Sequence, residues 1–311
     1  MPEIPVIDLG APVSDAVDWL TENLGSLFDL ITDVMLFLLN AVLYVLTAPH
    51  AYVVTLVAVA LPVLVRKYGL ALFALVAFVV IQAMDLWIQA MQTLAVVVVA
   101  AVIAVIIGVP VGIWASRSRE VSGVARPLLD LMQTLPVFVY LIPAVFFFGV
   151  GVVPGVVATT VFAIPPAVRL TELGIRGVDT EVVEAAHAFG AKPRQILREV
   201  QIPLAMPSIM AGVNQTIMLA LSMVVIAGMV GADGLGSVVV RGISTLDVGA
   251  GFEGGLGVVL LAIYLDRLSH ALSRPRRRRA PGRPASAPAQ TAAAKPAAEN
   301  TSADEAALAA S

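Results

Sequence analysis

Two groups of residues in this 311-residue chain have types and spacings that could do chemistry, and in both the chemistry is noncovalent. The first lies in EVVEAAHAFGAKPRQILREVQIPLAMP, which starts at Glu181 and contains Glu184, Ala185, Ala186, Phe189, Gly190, Lys192 and Pro203. It reads as two short helices. One covers 181–189 and stops at Gly190, because glycine accepts the left-handed conformation at a helix end; the next opens at Pro193, whose ring suits a first turn. Alanines at 185, 186 and 188 make a narrow face that another surface can approach closely. The segment is polar enough to leave a membrane, so it is either a docking element held just outside the bilayer or an ordinary amphipathic connector. The second group consists of polar side chains inside apolar runs: Gln92 and Thr93; Asp130, Gln133 and Thr134; Asn214, Gln215, Thr216 and Ser222. Hydrogen-bonding groups facing lipid are expensive and usually turn toward a cavity or a neighbouring helix. Gln133, Thr134, Asn214, Gln215 and Ser222 are therefore candidates for lining a translocation path, with bonding between helices as the other reading. Asp130 is expected to pair with Arg126 or to cap a helix.

Covalent and metal chemistry find little support. The three histidines, at 50, 187 and 270, are scattered, and with no cysteine there is no thiolate ligand or cysteine nucleophile. No GxxxxGK[ST] occurs, so ATP cannot be hydrolysed by that route. The run Gly231-Ala232-Asp233-Gly234-Leu235-Gly236 is glycine-rich but follows no strand, which argues against a nucleotide cradle. Composition decides the class: 59% hydrophobic and 13% charged residues, with a mean hydropathy of +0.93, leave too little charge to cover a water-soluble globule. A soluble enzyme or a nucleic-acid binder is nearly excluded.

The elements that must position these residues are membrane helices. Apolar runs near 50–65, 69–85, 88–115, 128–149, 152–170, 206–231 and 254–272 approach the length that a hydrocarbon core of about 30 Å demands at about 1.5 Å per residue. Between Leu24 and Thr47 the pattern is amphipathic, with Asp29, Thr32, Asp33 and Asn40 on one side, and favours an interfacial helix over an eighth span. Residues 1–49 thus form a polar lead and interfacial helix, 50–272 the membrane domain, and 273–311 a basic then Ala/Pro-rich tail expected to be disordered. Residues 1–65 hold seven acids and no Lys or Arg, whereas residues 274–283 hold six Arg. Since cytoplasmic connections retain Lys and Arg, the N-terminus is expected outside and the C-terminus in the cytoplasm. Pro136, Pro143, Pro165 and Pro166 are expected hinges or packing kinks. Gly108 and Gly112 have the spacing for close helix packing.

Glu184-Ala185-Ala186, three residues, Gly190, nine residues and Val200-Gln201-Ile202-Pro203 resemble the EAA signature of ABC-importer permeases; Val200 and Ile202 replace the commoner Ile and Leu. With LLDLMQTLPVFVYLIPAVFFFGVG (128–151), FAIPPAVRLTELGIRGV (162–178) and MAGVNQTIMLALSMVVIAGMVGADGLG (210–236), the resemblance narrows to the glycine betaine/proline betaine/choline permeases and covers about residues 85–272. It implies an all-α type I importer bundle that is not itself an enzyme. It further implies a homodimer, a cytoplasmic ATPase using ATP-Mg, an external solute-binding protein and a location in the bacterial cytoplasmic membrane. Glu184, Ala185, Ala186, Gly190 and Pro203 would then belong to a lever that seats on the ATPase, with Phe189 and Lys192 as neighbours. The implied cargo is a quaternary ammonium solute such as glycine betaine, proline betaine, choline or carnitine. A permease for another small solute such as an amino acid, and an ATP-independent channel or secondary carrier, are the alternatives.

Overall fold

The computed structural model describes residues 10–273, and every regular element among them is helical. The N-terminus and the basic tail lie outside the described residues. The first helix, α1 (Gly10–Thr47), is continuous over 38 residues and long and apolar enough to cross a membrane. It packs against the bundle. Leu39 is buried against Val96, Val99, Ala100 and Val156, and Phe28 stacks on Phe147 with ring centroids 4.6 Å apart.

Helices α2 (Ala51–Leu64) and α3 (Tyr68–Ala83) form a hairpin that turns at Arg66, in the left-handed region with φ +58. Gln82 donates to the Thr55 hydroxyl across it at 2.9 Å. At 14 and 16 residues they are about 21 and 24 Å long, shorter than the spans expected there. The next helix, α4 (Trp87–Arg117), has ample length.

The run expected as one span over 128–149 is instead two helices at 93°: α5 (Arg119–Thr134) and α6 (Phe138–Phe148). Pro136 disfavours helical geometry in the residue before it, and Leu135 is extended with φ −66 and ψ 137. Arg126 and Asp130, on α5, are held at the charged end of the next helix and cannot follow α6 into an apolar layer. That next helix, α7 (Val152–Arg176), is the spine of the bundle, packed on both α4 and α10 (Ile202–Ser222). It runs unbroken through Pro165 and Pro166, because Ala163, Ala167 and Val168 are completely enclosed and neighbours fix its course.

Between α7 and α10 lie α8 (Thr180–Ala188), α9 (Pro193–Ile196) and a π-helical turn (Leu197–Gln201). Beyond α10 come α11 (Val224–Met229), α12 (Leu235–Thr245) and α13 (Val248–Ser273). The stretch between the apolar runs expected at 206–231 and 254–272 therefore contains a helix. The Leu235 N–H donates to Thr93 Oγ1 at 2.8 Å, which fixes the start of α12 on α4. The Tyr264 hydroxyl donates to the Ala58 carbonyl at 2.9 Å and holds α13 on α2. Among the described residues five helices, or up to six counting the bent α5–α6 pair as one, are long and apolar enough to cross a membrane; three further apolar helices are shorter.

Candidate functional site

The segment from 177 to 201 is built by local chemistry. The Asp179 carboxylate accepts from the Glu181 N–H at 3.0 Å and caps α8. The other end closes by the two bonds of a Schellman motif. Ala191 N–H donates to the Ala186 carbonyl at 3.1 Å and Gly190 N–H to the His187 carbonyl at 2.9 Å. That closure needs a left-handed residue, supplied by Gly190 at φ +78. Lys192 is extended, as the residue before a proline should be, and Pro193 opens α9. Ile196 is buried, and Leu197, which opens the π-helical turn after α9, packs with Ile175, Ala205 and Ile209, so that turn is anchored on the ends of α7 and α10.

By contrast, no residue of α8 is buried. Glu184 and Ala185 are exposed and Ala186 half-buried, while Phe189 is 91% exposed. Lys192 and Pro203 are also exposed. A rigid, capped helix thus stands proud of the bundle with an aromatic ring at its tip, joined to the spine by residues 177–179. Glu184 borders a cavity of about 380 Å³ that Arg117, Arg176 and Gln201 also line. Its carboxylate makes no hydrogen bond or ion pair among the described residues, and the cap of its helix is Asp179.

Beside this segment lies an ion-pair cluster that sequence reasoning did not select. Glu172 on α7 is only 4% exposed. Its carboxylate accepts from the Ser122 hydroxyl at 2.7 Å and pairs with Arg126 at 3.1 Å and Arg176 at 3.2 Å. Arg176 also donates to the Ala115 carbonyl at 2.7 Å, which brings in the end of α4. Asp130 pairs with Arg169, not with Arg126 as expected, because α5 runs antiparallel to α7 and so sets 130 beside 169 and 126 beside 172. The signal was available as periodicity. Positions 122, 126 and 130 recur every four residues on one helix, and 169, 172 and 176 share a face of another.

The polar residues of the membrane layer separate into two sets. Asn214 and Thr216 are buried. Asn214 shares a 3.2 Å hydrogen bond with His270 on α13, and Thr216 donates to the Ala163 carbonyl on α7 at 3.1 Å. Gln215, Met218 and Ser222 are exposed along one stripe of α10, and Met218 and Ser222 line a groove of about 320 Å³ against α13. Gln133 and Thr134 are exposed beside the bend between α5 and α6. Among the described residues no cluster of three or more His, Cys, Asp or Glu comes together as a metal site.

Residues 104–278 match the family described as binding-protein-dependent transport system inner membrane component. The glycine betaine transport system permease protein OpuAB of Bacillus subtilis is 46% identical over 86% of this chain and 94% of its own. The glycine betaine/proline betaine transport system permease protein ProW of Escherichia coli is 47% identical over 88% of this chain and 77% of its own. The glycine betaine/carnitine transport permease protein GbuB of Listeria monocytogenes is 48% identical over 88% of this chain and 98% of its own. An inward-facing MetNI methionine ABC transporter chain superposes with a TM-score of 0.54 at 23% identity, over 60% of this chain and 93% of that one, a likeness of fold.

Proposed function

The chain belongs to the binding-protein-dependent transport system inner membrane components, and from that membership we propose that it forms the solute path of an ATP-driven importer for glycine betaine and related quaternary ammonium compounds. The observation that carries the cargo is the 46–48% identity to three permeases named for glycine betaine, over nearly the whole of two of them. Three partners complete the machine: a cytoplasmic ATPase that uses ATP-Mg, an external solute-binding protein and a second copy of this chain. The chain sits in the bacterial cytoplasmic membrane with α8 on the cytoplasmic side and supplies no catalytic residue of its own.

In this reading α8 is the lever. Ala185 and Ala186 let the ATPase surface approach closely, Phe189 enters a groove on it, and Glu184 and Lys192 offer charges at its rim. Gly190 holds the angle between α8 and α9, and Pro203 starts α10 beyond the π turn. Closure of two ATPase subunits on ATP moves both levers, and the bundle passes from an inward-open to an outward-open arrangement. Such a shift needs a ligand with different affinity for the two states, which ATP and the loaded binding protein supply. Gln133, Thr134, Gln215 and Ser222 present polar groups to the path, and Asn214 fixes α10 on α13 one position away.

The test is uptake of radiolabelled glycine betaine by proteoliposomes holding the permease, its ATPase and its binding protein. Uptake that requires internal ATP and the binding protein, and that proline betaine or choline inhibits, is expected. Uptake driven by an ion gradient without ATP, or inhibited only by amino acids, overturns the reading.

A further inference from the structure

The lever is joined covalently to α7, but α5 and α6 must also move if the path is to change shape. The question is what makes them follow. Apolar packing holds α5 weakly: of its sixteen residues only Ser122 and Leu129 are buried. What does hold it is a two-rung ladder to α7. The first rung is Ser122 and Arg126 on Glu172, and the second is Asp130 on Arg169. Arg176, the last residue of α7 before the link to α8, closes the ladder by pairing with Glu172 and bonding the end of α4.

The rungs differ in kind. Glu172 is enclosed, and a buried carboxylate stripped of its partners is strongly disfavoured, so separation of α5 from α7 at that point is resisted. Asp130 and Arg169 are exposed, so that rung contributes register more than strength. Beyond residue 134 the chain turns by 93° into α6, which packs on the far part of α7. A displacement of α5 is thereby delivered to α6.

We propose that Glu172 is a positioning residue for transport, the buried node of an ion-pair ladder that makes α5 and α6 follow α7 when α8 is displaced. The proposal rests on the lever role given to α8 above. It assigns to Glu172, Arg126, Asp130 and Arg169 a part in coupling without any contact with solute or nucleotide.

The experiment measures solute taken up per ATP hydrolysed in proteoliposomes of the complete complex, with co-purification of the ATPase as the check on assembly. E172Q, which keeps shape and removes charge, lowers that ratio by about tenfold or more while the complex still assembles. At the exposed rung, D130R and R169D each lower the ratio by about threefold to fivefold, and the swap D130R/R169D restores it. Restoration by exchange of charges reports pairing, which a merely structural role for either residue would not produce. The swap also keeps the proposal open to refutation if E172Q fails to assemble. A wild-type ratio in E172Q, or a swap no better than its single variants, overturns the proposal alone. A wild-type complex without ATP-driven uptake overturns the lever reading and the proposal with it.

Discussion

Replacement of Gly112 by alanine tests the packing of the spine. A Cβ at that position would sit 2.6 Å from the Val168 carbonyl oxygen and 2.7 Å from Thr171 Cβ; one at Gly108 would sit 2.6 Å from Ala167 Cβ. Ala167, Val168 and Thr171 are all fully enclosed, and a backbone oxygen cannot rotate out of the way. To reach ordinary contact distance α4 and α7 must part by about 1 Å. Overpacking of that kind costs about 1–3 kcal/mol, and alanine's better helix propensity returns about 1 kcal/mol. The net loss, about 1 kcal/mol at mid-range and about 2 kcal/mol at most, lowers the melting temperature by about 2–4 °C for a protein of this size. The assay is thermal unfolding of the purified permease in nanodiscs. Gly25→Ala and Gly123→Ala serve as controls, since nothing lies within 4 Å of either added Cβ and both should melt at or above wild type. If Gly112→Ala melts with these controls, the close approach of α4 and α7 is wrong.

Gly190→Ala costs about 1–2 kcal/mol at the lever's turn because its φ of +78 is left-handed, while nothing lies within 4 Å of the new Cβ. Stimulation of ATP hydrolysis by loaded binding protein is expected to fall in that variant; undiminished stimulation would count against the lever. Asn214→Ala removes a part-buried bond to His270 and lowers stability by about 1 kcal/mol, measured by thermal unfolding. Gln215→Ala, on the exposed stripe beside it, changes stability by less than about 0.5 kcal/mol but slows uptake. Equal stability of the two variants contradicts the division between tie and path.

What could be read in the sequence was what local chemistry determines. The lever is the clearest case: Asp179, Gly190 and Pro193 each act within a turn or two, and α8 spans 180–188 where 181–189 was expected. The family resemblance also holds, since the matching segments coincide with residues 104–278 of the family match. Other features depended on partners far along the chain. Hydropathy alone could not separate α5 from α6; Pro136 marked a kink, but its size depends on the hold of α7 on Arg126 and Asp130. Pro165 and Pro166 carry the same mark and produce no break, because their surroundings are packed. The tie between Asn214 and His270 joins residues 56 positions apart, and α12 hides in a stretch whose glycines, serines and arginine read as loop.

The most direct measurement uses the absence of cysteine from the chain. A single Phe189→Cys, placed at the exposed tip of α8, can be treated in whole cells with a membrane-impermeant maleimide and, in the assembled complex, with a short bifunctional cross-linker. The account predicts no labelling from outside and a cross-link to the ATPase subunit that stops uptake. Labelling from outside, or a protected site with no cross-link to the ATPase, contradicts it.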